Sequence, residues 1–398
     1  MVKLEDFFNV EACDRCGDCF VKCPVIHLSQ NEAQREIGRL IDGEESKAVL
    51  EHCSTCFACN DICTKGANPY GLILYRWFER YQEKGVPERG VMALPLSGGN
   101  FFQVLMQKAP PDEQRALREW NDLSRPELSS APQALFAGCN LKMGPYYTFS
   151  SLFADLPIFT APDLCCGEVY FRMGILDKAE SQARYLEERY RALNLKSVVF
   201  FCLAGYNMMQ NLLPRYFGVS FDFDKVYLLD HLSQRIESGE IKLGHRAAGT
   251  VTVQDPCHAK TLGPHFMDTP RRLLEEMGYS LVEMEHNREM ALCCGFGNGA
   301  GRYSPVDIIA WSIRRLREAR QTGAKMLVTY CSVCQLYLSL AHKIYPMAPP
   351  VHHVLGLLQT DIGEQSSMRH SDQANKMIKY MTFGLPRILS PKRSWVEL

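Results

Sequence analysis

The stretch Leu292-Cys293-Cys294-Gly295 is the centre of a five-cysteine pattern that organises the C-terminal half of the chain. Thirty-five residues separate Cys257 from this cysteine pair, and 36 residues separate the pair from Cys331-Ser332-Val333-Cys334. Adjacent cysteines are awkward partners for a disulfide, because its geometry places the two Cα atoms farther apart than one peptide unit does. A shared metal centre uses such neighbours more readily. The pattern therefore predicts that these five thiols bind a metal centre.

The composition is that of a globular protein without a strong charge bias. The chain has 398 residues, 46% of them hydrophobic and 22% charged, with a formal net charge of -1. A chain of this length is expected to form about two to four domains. The charge gives no electrostatic reason to expect nucleic acid as a partner. The N-terminus lacks the apolar stretch of a secretion signal, and no run of about 18 apolar residues predicts a membrane span. We therefore expect a cytoplasmic protein, which a partner subunit could hold at the inner face of the membrane.

The 17 cysteines are clustered along the chain. Four lie within residues 13–23, four within residues 53–63, and the other nine belong to the five-cysteine pattern and to its counterpart upstream. In a chain without a secretion signal, such clustering is typical of metal or cluster ligation and not of disulfides.

The two N-terminal groups have the spacing of bacterial ferredoxins, Cys-x-x-Cys-x-x-Cys-x-x-x-Cys, which predicts two cubane 4Fe-4S clusters. Two-residue spacers let one tight loop present three thiolates, while the fourth comes from the other run. One cluster is then bound by Cys13, Cys16, Cys19 and Cys63, and the other by Cys53, Cys56, Cys59 and Cys23. A pair of zinc knuckles is the alternative, but three cysteines at successive two-residue gaps favour the clusters.

Helical periodicity surrounds these runs. Ile37, Leu40 and Ile41 recur at helical intervals between the runs, and residues 70–84 read as a closing helix. We therefore predict a helical ferredoxin-like domain over residues 1–88. Prolines recur through residues 89–132, which predicts a linker, with a solvated helix over residues 112–122.

Two copies of one α/β unit follow, over residues 133–245 and 246–362. Each contains an apolar strand, the tetrapeptide Leu-Cys-Cys-Gly, an amphipathic helix, a β-branched strand that ends at a cysteine, and a trailing helix (226–239 and 351–363). Cysteines at the carboxyl ends of strands occupy the position where open α/β sheets bind ligands. The predicted fold class is α + α/β: a helical ferredoxin-like domain and two pseudo-repeated α/β units.

The polar tail over residues 363–398 is expected to be a solvated extension. Docking to a partner or to a membrane subunit is the alternative. The cations that such docking would use are Lys376, Lys379, Arg387, Lys392 and Arg393.

The two copies differ in their cysteines. The first copy keeps Cys139, Cys165, Cys166 and Cys202, but Gly205 stands where the last cysteine of the pattern would fall. We therefore interpret the first copy as the structural half, without an iron–sulfur cluster. Binding of zinc or of a modified cluster by its four thiols stays open.

Two ferredoxin runs followed by two CCG repeats resemble the catalytic subunit of heterodisulfide reductase. The iron–sulfur subunits of glycolate oxidase and of anaerobic glycerol-3-phosphate dehydrogenase share this architecture, and the resemblance covers roughly residues 8–360. It implies a noncubane 4Fe-4S cluster that acts on a disulfide, and partners that include a flavoprotein or a membrane cytochrome. The residues that the resemblance assigns to this cluster are Cys257, Cys293, Cys294, Cys331 and Cys334.

Weaker signals surround this pattern. His258 and Lys260 could donate protons to a leaving thiolate, although hydrogen bonds to the cluster surroundings explain them better. The glycines between Gly295 and Gly301 are explained by close backbone approach to a cluster, with phosphate binding as the weaker alternative. No dinucleotide fingerprint is present, so we expect no flavin in this chain.

Two functions are compatible with these features. The first is an oxidoreductase subunit that passes electrons through two cubane clusters to a C-terminal noncubane centre, where disulfide chemistry takes place. The alternative is a pure electron-transfer subunit between a flavoprotein dehydrogenase and a quinone, cytochrome or other acceptor.

Overall fold

The N-terminal ferredoxin-like segment is helical. The computed structural model describes residues 2–245, 247–388 and 395–396 of the chain. Local signals start the two longest helices of the segment: Ser29 and Glu32 form a capping box, and the Asn68 side chain caps a helix that begins with proline. The prediction that this segment is helical is confirmed. The helices are Leu4–Phe7, Asp18–Val21, Gln30–Asp42, Lys47–Leu50, Ala58–Ile62 and Pro69–Lys84.

The joining region is folded against the rest of the protein. The predicted helix is present as Pro111–Trp120, but the side chains of Glu113 and Trp120 are buried. Arg369 pairs with Asp112 at 2.6 Å and with Glu113 at 3.1 Å. The expectation of a solvated helix therefore holds only for its outer face, where Arg115, Arg118 and Glu119 are exposed. The opposite face is packed, because Asp112 and Glu113 meet a cation from the C-terminal region. The other helices here are Glu88–Val91, Phe101–Gln107 and Pro126–Ser130.

Two four-stranded parallel sheets follow. The first sheet contains, in spatial order, Ile158–Phe159, Ala134–Phe136, Ser197–Phe200 and Asp224–Tyr227. The second sheet contains, in spatial order, Ser280–Leu281, Thr250–Gln254, Met326–Thr329 and Val351–His353. In both sheets the strand that comes first in sequence lies between the second and the third. Parallel pairing places the carboxyl ends of the strands at one edge of each sheet.

Helices cover the sheets. In the first unit they are Gly138–Lys142, Glu168–Arg172, Leu176–Leu193, Leu203–Asn207, Met208–Leu212, Leu213–Phe217 and Leu228–Glu237, with short turns at Pro145–Thr148 and Ser151–Phe153. In the second unit they are Cys257–Leu262, His265–Glu276, Phe296–Arg302, Pro305–Gln321, Ser332–Ile344 and Val354–Asp361, with a short turn at Arg288–Met290.

The predicted trailing helices need one correction. The residues that open them, 226–227 and 351–353, belong to the fourth strand of each sheet, and the helices begin after them. These strands are Asp224–Tyr227 and Val351–His353. The reason is tertiary: Val226 pairs with Val199 and His352 pairs with Val328 along the neighbouring strand.

The C-terminal region also packs onto the protein. Helix His370–Ile388 lies against helices Ser332–Ile344 and Phe101–Gln107. Gln373 is buried and accepts a hydrogen bond from the Tyr146 hydroxyl at 2.8 Å. The expectation of a solvated extension is therefore wrong for this helix, whereas Lys392 and Arg393 lie outside the described residues. Strand Trp395–Val396 pairs with Val86–Pro87.

The ferredoxin-like segment and the first unit share buried contacts. The ring of Phe7 stacks on that of Tyr216 at 4.7 Å between centroids. Asn68 donates hydrogen bonds to the Tyr216 hydroxyl at 2.7 Å and to the Phe7 carbonyl at 2.5 Å. Within the described part of the chain, no helix is both long and apolar enough to cross a bilayer.

Candidate metal centre

The first ferredoxin-type cavity lies near the surface. It lies between the loop before helix Asp18–Val21 and the end of helix Ala58–Ile62. Cys16 is exposed, and Cys13 and Cys63 are partly buried. The cysteines that line this cavity are Cys13, Cys16, Cys19 and Cys63.

The second ferredoxin-type cavity is buried. The apolar side chains of Phe20, Phe57 and Ile73 line it. The structure therefore brings each run of three cysteines to the fourth cysteine of the other run. The cysteines that line this cavity are Cys23, Cys53, Cys56 and Cys59, together with Cys19.

A third cavity collects all the remaining cysteines of the chain. The rings of Phe102, Phe136, Phe200 and Phe296 supply much of its apolar wall. The thiols of the first unit, interpreted from the sequence as the structural half, face the same space as the five-cysteine set. We call this space the nine-cysteine cavity. The cysteines that line it are Cys139, Cys165, Cys166, Cys202, Cys257, Cys293, Cys294, Cys331 and Cys334.

The backbone explains why these thiols converge. Cys202 and Cys331 each follow the third strand of their sheet, at the carboxyl ends where open α/β sheets place ligands. The Cys-Cys pairs each precede a glycine with a positive φ, 74° at Gly167 and 108° at Gly295. At Gly295 a Cβ would overlap the Ile308 carbonyl oxygen, so a side chain is excluded there.

Burial makes the isolated thiolates unfavourable in the nine-cysteine cavity. It raises the pKa of Cys257 to about 11 and the pKa of Cys202 to about 12. A hydrogen bond between Cys293 and Cys294 raises the pKa of the first and lowers that of the second. Bound metal cations would compensate this cost, because metal binding requires and stabilises the thiolate form.

The donor sets fit iron–sulfur clusters better than single ions. All 17 cysteines are free thiols, so none is committed to a disulfide. Among the residues that the structure describes, no three His, Cys, Asp or Glu side chains are arranged to hold a single metal ion. A 4Fe-4S core is larger than one ion and is held by thiolates that surround it. Three cavities ringed by cysteines match that requirement.

At the nine-cysteine cavity, a buried hydrogen-bond network joins the ferredoxin-like segment, the first unit and the second unit. Arg172 Nη2 lies 3.2 Å from Cys257 Sγ, and Nη1 donates hydrogen bonds to Thr55 Oγ1 at 2.6 Å and to the Thr55 carbonyl at 2.9 Å. Arg172 Nε donates to Glu168 Oε1. The charged pair at positions 168 and 172, inside the apolar stretch after Gly167, is a sequence signal that could have revealed these two residues.

His258 belongs to this network. Asn207 Nδ2 lies 2.9 Å from His258 Nδ1, and His258 Nε2 lies 2.9 Å from both Glu168 Oε1 and Arg172 Nη2. Burial lowers the pKa of His258. This geometry favours a positioning role for His258 over proton donation. Lys260 is also buried, and its ammonium donates to the Ala291 carbonyl at 2.7 Å.

The glycine-rich stretch is explained by packing between segments. A Cβ at Gly297 would lie 2.6 Å from the Ser54 carbonyl oxygen, and a Cβ at Gly301 would lie 2.9 Å from the Trp77 ring. These two glycines permit close approach to the ferredoxin-like segment, and Gly297 also lines the nine-cysteine cavity, so the expected close approach to a cluster stays a prediction.

Comparisons with known proteins agree with the motifs. Residues 5–64 match the 4Fe-4S dicluster domain family, and residues 251–339 match the CCG family, described as a cysteine-rich domain. The resemblance predicted from the cysteine motifs is confirmed.

Three relatives cover most of the chain. The chain is 24% identical to one subunit of the dihydromethanophenazine:CoB–CoM heterodisulfide reductase of Methanosarcina barkeri, over 90% of this chain and 95% of that protein. It is 24% identical to one subunit of the fumarate reductase (CoM/CoB) of Methanothermobacter marburgensis, over 85% of this chain and 70% of that protein. It is 22% identical to EtfAB:quinone oxidoreductase of Syntrophomonas wolfei, over 83% of this chain and 55% of that protein.

Proposed function

We propose that this chain, which contains a 4Fe-4S dicluster domain and a CCG cysteine-rich domain, is an iron–sulfur subunit of an oxidoreductase complex that reduces a disulfide or related sulfur substrate. The observation that carries the proposal is the nine-cysteine cavity and its link to the other two. The two ferredoxin-type cavities share Cys19, and the Phe57 ring of the second lies 5.3 Å from the His258 ring at the wall of the nine-cysteine cavity. Relatives that are named as reductase subunits support the same class of activity.

We assign the metal ligands from the cavities. Two cubane 4Fe-4S clusters would be held by the four cysteines of each ferredoxin-type cavity, and a third, noncubane cluster by the five-cysteine set. When bound, such clusters accept and release single electrons at potentials that their surroundings set. The five proposed ligands are Cys257, Cys293, Cys294, Cys331 and Cys334.

The order of the cavities supports a direction of electron flow. The cavity that contains the exposed Cys16 is the one that a partner flavoprotein or cytochrome can approach. The second cavity is buried, and Thr55 between two of its cysteines reaches Arg172 at the wall of the third. The surface cavity is therefore proposed as the entry point and the nine-cysteine cavity as the terminus.

The residues around the terminus suit reduction of a sulfur substrate. Apolar rings limit access of water, and the Arg172 guanidinium provides positive charge beside Cys257. The overall reaction is the two-electron reduction of a disulfide to two thiols with uptake of two protons. Because Glu168 and Arg172 are paired with each other, the cavity favours a substrate that is largely apolar near its sulfurs.

The domain organisation belongs to this proposal. We assign residues 1–88 to the ferredoxin-like domain, 89–132 to a joining region, 133–245 and 246–362 to two copies of one unit, and 363–398 to a C-terminal segment. The shared strand order of the two sheets supports descent of the units from one ancestor. Because Gly205 interrupts the first set of cysteines, we assign no iron–sulfur cluster to the first unit.

The second candidate function is electron relay to an acceptor such as a quinone, without binding of a sulfur substrate. The incomplete set of cysteines in the first unit favours it, since a single complete set leaves fewer groups to act on a substrate. The similarity to a protein named EtfAB:quinone oxidoreductase favours it as well.

Electron paramagnetic resonance of anaerobically purified, oxidised protein separates the two functions. Addition of 2-mercaptoethanol is expected to produce a new paramagnetic signal, because a thiol is the product of the proposed reaction. Cys294→Ser should abolish the signal, and the matched variant Cys202→Ser should retain it. Intact ferredoxin-type signals without any thiol-dependent signal would favour the relay.

A further inference from the structure

Arg172 joins the three cysteine-bearing segments of the protein. Arg172 belongs to the first unit, where it follows the Cys165-Cys166 pair. It contacts Cys257 of the second unit. It also binds Thr55 of the ferredoxin-like segment, which lies between Cys53 and Cys56. Its side chain is 3% exposed. The guanidinium is therefore a buried charge between two of the cavities.

The Arg172 guanidinium lies beside a carboxylate, that of Glu168, which stays ionised. Burial opposes ionisation of Glu168, but Arg172 and His258 outweigh burial and hold the pKa of Glu168 at about 2. The carboxylate therefore balances the guanidinium, while the face of Arg172 toward Cys257 still presents N–H donors. Hydrogen bonds and positive charge directed at a ligand sulfur are known means of tuning iron–sulfur potentials.

We propose that Arg172 is a positioning residue that raises the reduction potential of the centre bound at Cys257 and so favours electron transfer into the nine-cysteine cavity. The inference rests on the proposed function, since it needs a redox centre in that cavity. A positive charge stabilises the reduced form, which carries one more negative charge than the oxidised form. The Thr55 hydrogen bonds hold the guanidinium on the side that faces the second ferredoxin-type cavity, so the charge lies along the route of the electron.

Spectroelectrochemical titration tests the inference on anaerobically purified full-length protein. Arg172→Gln is expected to lower the midpoint potential of the cavity centre by about 59 mV or more, which is tenfold in a one-electron equilibrium. Arg172→Lys keeps a charge and should retain much of the wild-type potential. The cluster of the surface cavity should keep its potential in both variants.

Arg315→Gln is the matched control. Arg315 is a fully buried arginine of the second unit that pairs with Glu318 at 2.7 Å, and its hydrogen bonds go to Gln254, His286 and Glu318 and to no cysteine. Loss of its charge should lower stability without moving the potential of the cavity centre. An equal shift in this control would overturn a specific role for Arg172.

A second variant keeps the inference testable if Arg172→Gln loses its clusters. Glu168→Gln removes the countercharge and should move the potential of the cavity centre in the opposite direction, upward. If neither substitution changes the midpoint potential of the centre in the nine-cysteine cavity, the inference is overturned and the proposed function is not. Absence of any cavity centre from the wild-type protein would overturn the proposed function and the inference together.

Discussion

Asp255, two residues before Cys257, forms a buried, bidentate ion pair with Arg271. Arg271 Nη1 lies 2.8 Å from Asp255 Oδ1 and Nη2 lies 2.9 Å from Oδ2, and the carboxylate also accepts a hydrogen bond from the Tyr330 hydroxyl at 2.9 Å. Tyr330 directly precedes Cys331. One carboxylate therefore fixes the loops that present two of the proposed cluster ligands.

Replacement of Arg271 by methionine should strongly destabilise the second unit. The Asp255 side chain is 0% exposed, so the variant leaves a buried charge without its partner, which typically costs about 3–5 kcal/mol of the free energy of unfolding. Chemical denaturation under anaerobic conditions measures this loss. The control is Arg272→Met, whose exposed pair with Glu237 should contribute about 1 kcal/mol or less. Equal losses in the two variants would contradict the prediction.

Replacement of Gly205 by cysteine should complete the first set of cysteines. A Cβ at this position would lie 3.7 Å from Phe200 Cδ1 and 3.9 Å from Cys202 Cβ, which is ordinary packing distance, so the variant should fold. We expect iron to rise from about 12 to about 16 atoms per chain, as one more 4Fe-4S cluster requires. Gly205→Ser adds a side chain of similar size without a thiolate and should leave the iron content unchanged. If Gly205→Cys folds but binds no more iron than the wild type, a complete set of five cysteines is not sufficient for binding of a further cluster.

Replacement of Gly297 by alanine should separate helix Phe296–Arg302 from the ferredoxin-like segment. The new methyl group would meet the Ser54 carbonyl oxygen at 2.6 Å and would also overlap the Thr55 hydroxyl. Overpacking of this kind typically costs about 1–3 kcal/mol. Gly98→Ala, where a Cβ meets nothing within 4 Å, is the control and should be neutral or slightly stabilising. Thermal unfolding of the two variants checks the difference, and equal midpoints would count against the packing.

Acid should destabilise the protein partly through His353. Burial lowers the pKa of His353 to about 3, so the unfolded chain takes up a proton below about pH 6.5 that the folded chain does not. The stabilisation is fully present above the unfolded pKa and is lost as the pH falls toward the folded pKa. Between pH 7 and pH 5.5 this amounts to about 1 kcal/mol.

His353→Asn isolates that contribution. Asparagine can still cap the following helix, where His353 Nδ1 now accepts from the Leu355 amide. The free energy of unfolding of the variant should fall by about 1 kcal/mol less than that of the wild type over the same pH interval. Identical pH dependences would exclude His353 as a source of acid sensitivity.

Local signals predicted much of the fold. Helices Gln30–Asp42 and Pro305–Gln321 were predictable because their caps, at Ser29 and Ser304, and their apolar faces are encoded within the helices themselves. Edge strands of two residues, such as Ile158–Phe159, were not predictable, because their pairing depends on a neighbour far along the chain.

The same contrast holds for the site. The ferredoxin spacing predicted which cysteines would meet in the first two cavities. It did not predict that the cysteines of both units would share one cavity, or that Arg172 would bind Thr55. Those two residues are 117 positions apart in the sequence, so only the folded chain brings them together.

Iron and acid-labile sulfide counts of anaerobically purified protein test the central claim most directly. Three clusters predict about 12 irons and about 12 sulfides per chain, and Cys294→Ser should reduce both to about 8 while Cys202→Ser leaves them unchanged. A wild-type count of about 8 that Cys294→Ser does not lower would contradict the assignment of a cluster to the five-cysteine set.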